Sequence, residues 1–287
     1  VWSWATRKPL HTLEHDAAVY AADFSPTGEY LATGSGDGNV TLWKLPAGTQ
    51  VAQQKEHADA VYCLSFSLDG TRLATIGGDG KKGDTNCRIW SVPALRIANL
   101  LPGHERPGYG VLFGPPVGPA RNMLVTSGGD KLIQVYSLPS KKRKTWVGHT
   151  SDVYRCCFAP DGQHLATTSQ DGSVRLWSVT TGKQVKTLLQ VKDPMYDVAY
   201  SRDGEILAAV GDDGFVRYWE TRTHTLLAES KTDKEGLYSV VFTPDQTRVV
   251  TGGVRGVLHE CPVPHVAATD GAGQRHVGED AADATRP

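Results

Sequence analysis

The sequence predicts an all-β chain of repeated antiparallel sheets, and three observations predict it. Tyrosine recurs at one repeat position, as Tyr20, Tyr62, Tyr109, Tyr154, Tyr196 and Tyr238, at steps of 42, 47, 45, 42 and 42 residues. Between short alternating apolar runs lie turns rich in Asp-Gly, such as Asp37-Gly38, Asp79-Gly80, Asp171-Gly172 and Asp213-Gly214. Asp-Gly in that setting is the strongest short-range hairpin signal. No stretch keeps a 3.6-residue apolar period, so helices should be nearly absent.

Each unit reads the same way along the chain. The innermost strand opens on the tyrosine and closes four residues later on an aromatic, as in Tyr20–Phe24, Tyr154–Phe158 and Tyr196–Tyr200. A polar turn follows, such as Ser25-Pro26-Thr27-Gly28 or Ala159-Pro160-Asp161-Gly162. A second strand (Leu31-Ala32-Thr33, Leu165-Ala166-Thr167) leads to the Asp-Gly turn. The third strand ends on Trp43, Trp90, Tyr136, Trp177 or Trp219, and a fourth lies beyond, as in Gln184–Leu188. Four antiparallel strands in about 43 residues make one blade of a β-propeller. Six blades are readable, which places the propeller at residues 1–262 and leaves 263–287 as a polar, disordered tail. Thirty-one glycines in 287 residues fit two or more tight turns per blade.

The N-terminus leaves the blade count open. Val1-Trp2-Ser3 matches the end of a third strand and Pro9–Leu13 a fourth. That fourth strand either pairs with the last unit and closes a six-bladed ring, or belongs to a seven-bladed parent whose N-terminal blade is truncated. The missing initiator Met points to a fragment or a processed chain.

Gly148-His149 followed by Asp171-Gly172-Ser173-Val174-Arg175-Leu176-Trp177 resembles the WD-repeat β-propeller family. The resemblance covers roughly residues 1–262. It implies a buried hydrogen-bonded tetrad of His, Ser or Thr, Asp and Trp in a blade. The first unit offers His15, Ser35, Asp37 and Trp43, and the fourth offers His149, Ser169, Asp171 and Trp177, both at offsets of 20, 22 and 28 from the His. Such a set satisfies its own donors and acceptors. Ser, His and Asp also compose a hydrolase triad, but recurrence in each blade and a terminal Trp favour a structural role. The other units are incomplete. Gly77 and Gly128 replace the Ser in the second and third, Val191 the His in the fifth, and Arg255 and Cys261 the Asp and Trp in the sixth.

The resemblance also puts the tyrosine position around the mouth of the axial channel. Six aromatic side chains there would form a partner-binding surface, with Arg155 and Asp197 adding charge, because tyrosine combines contact area, a polar tip and low entropic cost. An aromatic ring also suits an inserted Arg or Lys. The alternative is inheritance by duplication and use in packing between blades.

Composition narrows the classes. Net charge is -1, which argues against a globally basic nucleic-acid binder. The basic run Lys141-Lys142-Arg143-Lys144 keeps an RNA-associated reading open beside that of a solvated edge strand. No apolar run is long enough for a transmembrane helix. Five cysteines, with no Cys-x-x-Cys, point to free thiols in a reducing compartment, hence an intracellular, cytoplasmic or nuclear protein. No motif for a metal, a cofactor or catalysis is present. The expected role is therefore a non-enzymatic scaffold that binds a protein or peptide partner within a larger complex. The alternative from another class is a sensor domain of a longer kinase or NTPase chain.

Overall fold

The computed structural model describes residues 1–78 and 83–265. Asp79-Gly80 and most of the 263–287 tail lie outside the described residues. The first blade comprises β1 (Val19–Phe24), β2 (Tyr30–Ser35), β3 (Val40–Lys44) and β4 (Thr49–Gln54). The second comprises β5 (Val61–Phe66), β6 (Arg72–Gly77), β7 (Cys87–Ser91) and β8 (Arg96–Leu101). The third comprises β9 (Gly108–Phe113), β10 (Met123–Gly128), β11 (Ile133–Ser137) and β12 (Lys142–Trp146). The fourth comprises β13 (Val153–Phe158), β14 (His164–Ser169), β15 (Ser173–Ser178) and β16 (Gln184–Gln190). The fifth comprises β17 (Met195–Tyr200), β18 (Ile206–Gly211), β19 (Phe215–Glu220) and β20 (Thr225–Lys231). The sixth has β21 (Leu237–Phe242), β22 (Arg248–Gly253) and β23 (Leu258–Pro262). The result is an all-β propeller of six antiparallel sheets, and among the described residues no helix occurs.

Five sheets have four strands and the sixth has three. Of the two alternatives for Pro9–Leu13, pairing with the last unit is not what the structure has. Pro9 instead bridges Trp2, and the N-terminus folds on itself around a turn with Arg7 at φ 57°. A local hairpin costs far less loop-closure entropy than pairing with a strand some 250 residues away.

The core lies between the blades. Blade-one Ala32, Val40 and Leu42 pack with blade-two Val61, Leu64 and Phe66, and similar clusters join later blades. The strand ends are tightened by glycines in the left-handed region. A Cβ on Gly172 (φ 76°) would stand 2.0 Å from the Val191 carbonyl, so only glycine lets that turn approach the next blade's entry loop.

Buried hydrogen-bond relays staple strands within blades, and they correct the tetrad assignment. The bridging hydroxyl is Thr33 in blade one and Thr167 in blade four, not Ser35 and Ser169. Trp43 Nε1 donates to Thr33 Oγ1 (2.9 Å), which contacts His15 Nε2 (2.8 Å). Trp177 Nε1 donates to Thr167 Oγ1 (2.9 Å), which contacts His149 Nε2 (2.7 Å). The reason is register. Trp43 lies opposite Leu31 and Trp177 opposite Leu165, so the Thr is the near same-face neighbour. The Ser is four residues along, about 13 Å at strand rise. Ser35 serves Asp37 instead (2.6 Å). In blade one Asp37 stays in its turn, and His15 Nδ1 donates to the Leu13 carbonyl (2.9 Å). In blade four Asp171 does join the relay, accepting from His149 Nδ1 at 2.9 Å.

Blade two, read as incomplete from Gly77, has a relay too. Trp90 Nε1 donates to Thr75 Oγ1 (2.8 Å), which meets His57 Nε2 (2.8 Å). Here Arg88 donates to His57 Nδ1 (3.1 Å) and pairs with Asp84 (2.9 Å). In blade three His104 contacts Thr126 (2.8 Å) and Asp130 (2.7 Å), while Tyr136 turns its hydroxyl to Gln134 and the Pro102 carbonyl.

Burial, reinforced by the Arg88 charge, lowers the His57 pKa to about 3. Burial also lowers that of His149, over the opposing pull of Asp171. Desolvation works to raise the Asp171 carboxyl, but hydrogen bonds from His149, Ser173 and the Thr150 amide outweigh it and hold the group well below its usual range.

Two predictions follow from the relays. Thr167→Val leaves the buried Trp177 N–H and His149 nitrogen without partners and should cost about 2 kcal/mol in urea unfolding, against about 1 kcal/mol or less for Ser169→Ala. Equal costs would overturn the reassignment. For His57 and His149, the folded pKa lies below the unfolded value of about 6.5. Below pH 6.5 the unfolded chain binds protons that the folded chain refuses, so their contribution is complete above 6.5 and declines as pH falls toward about 3. Urea midpoints should drop between pH 6.5 and 4, and His57→Gln should flatten the drop.

Candidate functional site

The six tyrosines share one backbone device. In every innermost strand the pairing register skips the tyrosine: Tyr20 between Val19 and Ala21, and likewise Tyr62, Tyr109, Tyr154, Tyr196 and Tyr238. Each is the extra residue of a β-bulge, which re-aims a side chain at the end of a ladder. The bulge lifts the phenol out of strand alternation. Small turns make room for it, as a Cβ on Gly36 would stand 3.1 Å from Tyr20 Cε2.

The phenol rings touch in sequence. Centroids lie 5.4 Å apart for Tyr20–Tyr62, 5.6 Å for Tyr62–Tyr109, and 5.4 Å for Tyr109–Tyr154. They lie 5.4 Å apart for Tyr154–Tyr196 and 5.1 Å for Tyr196–Tyr238. All are tilted or edge-on, the arrangement that aromatic quadrupoles favour. The outcome is an aromatic arc running from blade one to blade six. Its two end members are exposed and the four between are partly buried by their neighbours.

Carboxylates meet the arc at two places that the sequence reading missed. Tyr196 donates to Asp212 Oδ1 at 3.3 Å. Burial, then the charge of Asp212, pushes the Tyr196 pKa up to about 12. Burial, then Asp152, does the same for Tyr109, also to about 12. Both acids sit in loops that flank the bulges: Asp212 follows β18 in the same blade as Tyr196, whereas Asp152 comes from blade four to Tyr109 of blade three, so only the assembled ring brings that pair together. Between blades three and four, Glu105, Arg106, Lys131, Asp152 and Gln170 line a depression of about 570 Å³ beside Tyr109 and Tyr154.

Arg155 and Asp197 do not join the rim as expected. They follow the bulge and so turn the other way, into the ring. Arg155 donates to the Tyr109 carbonyl (2.9 Å). Asp197 accepts from the Val198 and Val240 amides (2.9 and 3.0 Å), tying blade five to blade six. Burial raises the Asp197 pKa and the Arg155 charge opposes it. Asp23 ties blade one to blade two in the same manner, through the Phe66 amide (2.9 Å), and burial raises its pKa to about 6.

Lys142, Arg143 and Lys144 lie exposed on β12, the outer strand of blade three, with Lys141 in the turn before it. All five cysteines are free, and burial raises the thiol pKa of Cys156 to about 12 and Cys157 to about 11. Among the described residues no three His, Cys, Asp or Glu side chains are grouped to hold a metal ion. No helix among them is long and apolar enough to cross a membrane. A cleft of about 400 Å³ between blades four and five, floored by Tyr200, Leu207 and Trp219, had no sequence signal.

The coupling of Asp212 to Tyr196 is measurable. Asp212→Asn should bring one tyrosine ionisation down from about 12 toward 10 in an absorbance titration near 295 nm. An unchanged titration would mean that Asp212 does not face the phenol.

Comparison with known proteins places these features in a family. The family model described as "WD domain, G-beta repeat" matches residues 7–44, 48–91, 140–178 and 182–220, more than half of the chain. The unmatched third and sixth units are those with Tyr136 and Cys261 at the Trp position. The chain is 25% identical over 229 residues to Periodic tryptophan protein 2 of Arabidopsis thaliana, covering 66% of this chain and 25% of that protein. It is 26% identical over 201 residues to a guanine nucleotide-binding protein subunit beta of Oryza sativa subsp. indica, covering 67% and 53%. It thus spans about half or less of the length of these relatives. The crystal structure of the computationally designed Ika8 protein superposes with a TM-score of 0.73 at 22% identity, over 91% of this chain and 76% of that one, a likeness of fold. Matched repeats, Trp-centred relays and blade architecture agree, and the chain belongs to the WD-repeat β-propeller family.

Proposed function

We propose that this protein is a non-enzymatic scaffold that captures a partner segment across the tyrosine arc, and that the segment presents Lys or Arg side chains. The carrying observation is the arc itself: five consecutive ring–ring contacts, exposed at Tyr20 and Tyr238 and partly exposed between them, with Asp152 and Asp212 at the phenols. Aromatic faces attract cations, and flanking carboxylates add charge complementarity. Rings already held against one another lose little freedom on binding, which favours them as hot spots. One relative is named as a subunit, which supports a place for this chain in an assembly. The finer identity of the partner rests on the arc's chemistry.

Capture from a native extract by wild type and by the Tyr62→Ala, Tyr154→Ala double variant tests this. The variant should lose the bound partner, with affinity down at least about tenfold, the cost of removing hot-spot aromatics. Unchanged capture by a normally folded variant would overturn the reading. The basic run on β12 makes a distinct prediction. Binding that vanishes on charge removal at Lys142 and Lys144, falls steeply with salt, and ignores the tyrosines would be RNA-type recognition instead.

A further inference from the structure

Blades four and five meet differently from the other neighbouring pairs. At the other interfaces the residue after the third strand is aliphatic and enters the core shared with the preceding blade: Val92, Leu138, Val179 and Val263. The amide of each donates to the turn between the first two strands, as Val179 does to the Gln163 carbonyl (2.9 Å). Thr221 of blade five makes the same amide bond, to the Glu205 carbonyl (2.9 Å), but gives its hydroxyl to the Gly204 carbonyl (2.6 Å). A second plug is missing three residues on, where the chain turns through the left-handed region. Blade two has Leu95 there (φ 47°), 1% exposed within the core. Blade four has Gly182, and Trp146 of blade three covers it so closely that a Cβ would stand 2.5 Å from the indole nitrogen. Blade five has His224 (φ 58°), half-buried. The innermost strand also ends on Tyr200 here and on Phe in the other five blades.

These polar replacements leave a cavity of about 400 Å³ between two complete four-stranded blades, so it takes the place of no strand. Its floor is Leu176, Leu188, Leu207 and Trp219. It lies on the face away from the tyrosine arc, because Tyr200 and Tyr196 stand at opposite ends of β17. That volume, apolar below with a few polar groups above, is the size of a small-molecule site. At the mouth are Asp161 and Asp203, both exposed, and the half-buried His164 and His224. The two carboxylates accept amides of their own turns through Oδ1, from Gln163 and Glu205 (2.9 Å each), which leaves Oδ2 of each for a ligand. Arg222 is already paired with Glu220 at 3.6 Å. Burial, then the neighbouring Cys157 and Asp161, keeps the Tyr200 phenol protonated, and burial, then Lys186 and His164, lowers the His224 pKa. The uncompensated charge at the mouth is therefore negative.

We propose that this cavity is a binding site for a small arylalkylamine, its ring seated on Leu207 and Trp219 and its ammonium group at the mouth between Asp161, Asp203 and the Tyr200 hydroxyl. The ring occupies the space that aliphatic and indole side chains fill at the neighbouring interfaces, and it meets the Trp219 and Tyr200 rings, whose quadrupoles favour tilted aromatic contact. The ammonium group donates to the two carboxylates, and charge-assisted bonds of that kind are the strong ones. The protonated phenol keeps an oxygen lone pair for the same group. An anion would meet two carboxylates and an arginine whose charge is already matched. The site is independent of the tyrosine arc, since it shares no residue with it.

The test titrates the 1–287 chain with tryptamine and with indole-3-acetate, the same ring carrying an anion, by calorimetry and saturation-transfer NMR. One variant, Thr221→Val with His224→Leu, installs the pair that blade two has at Val92 and Leu95. A second, Asp161→Asn with Asp203→Asn, removes the charge at two exposed positions. The Tyr62→Ala, Tyr154→Ala variant separates this site from the arc. Tryptamine should occupy one saturable site, at least about tenfold tighter than indole-3-acetate, and the Asn variant should weaken it by about tenfold or more, the scale of a lost charge-assisted bond. The plugged variant should lose binding with a urea midpoint at or above that of wild type, and the tyrosine variant should bind as wild type does. No saturable binding, as when another part of the chain fills the cavity, would overturn the proposal. So would equal affinity for the two probes, binding that survives the plug or ignores the two Asn substitutions, or binding lost with the tyrosines.

Discussion

A propeller blade has two apolar faces and no way to bury either by itself, so every blade here depends on its neighbours for a core. The clusters show it directly: each mixes residues of adjacent sheets, as when Ala32, Val40 and Leu42 meet Val61, Leu64 and Phe66. Stability in such an array is carried by intrinsic blade terms and nearest-neighbour interfaces. That explains why the interior blades bury their strands so evenly and why exposure collects on β1 and β21, the two innermost strands with one uncovered side. The same constraint accounts for the exposure of Val19, Phe24 and Leu258, which lie on the blade faces that no described neighbour covers.

The relays add a second, directional level of order. A hydroxyl has one proton to give, so Thr167 accepts from Trp177 and gives to His149 Nε2, which fixes the His149 proton on Nδ1, toward Asp171. In blade two the polarity reverses. Arg88 donates to His57 Nδ1, so the imidazole proton sits on Nε2 and Thr75 accepts from both ring systems. Two different chemistries thus satisfy the same buried indole, and in both the imidazole is neutral. Neutral histidines in this role make the fold rigid at ordinary pH and expose it to acid.

Much of this was legible in the residues. The tyrosine spacing located every blade, and the Asp-Gly turns and, in five of the six units, the aromatic at the end of the third strand supported it, because a repeat multiplies weak local signals. What stayed hidden depends on geometry between strands. Ser35 and Thr33 lie on the same face, two apart, and an offset from the histidine cannot choose between them; only the pairing of Leu31 with Trp43 does. The bulge at Tyr154 shifts the parity of all that follows, so Arg155 faces the ring's interior although its neighbour lines the mouth. Asp152 is a loop residue whose approach to Tyr109 exists only once blades three and four are side by side, and Asp212 reaches Tyr196 only through the pairing of β17 with β18.

Internal bonding weakens along the chain toward blade six. Trp and Thr are hydrogen-bonded in blades one, two and four, and His104 holds Thr126 in blade three. Blade five has Ala209 at the Thr position and relies on Arg217, which reaches Asp213 at 2.6 Å and Glu229 at 3.0 Å. Blade six has Cys261 at the Trp position, and its buried Thr251 hydroxyl has no hydrogen-bond partner. Its His259 turns outward to Asp233 instead, at 3.0 Å. A blade without a relay, three strands wide and covered on one face, has the least holding it in place. Local opening draws on such regions first. The tie from Asp197 to the Val240 amide fastens blade six to the ring alongside the packing of Val216 and Tyr218 against Leu237, Val240 and Val249. The tyrosine surface therefore rests on relay-bonded blades at Tyr20, Tyr62 and Tyr154, and reaches Tyr238 through the core and the hydrogen bond that join blade six to blade five.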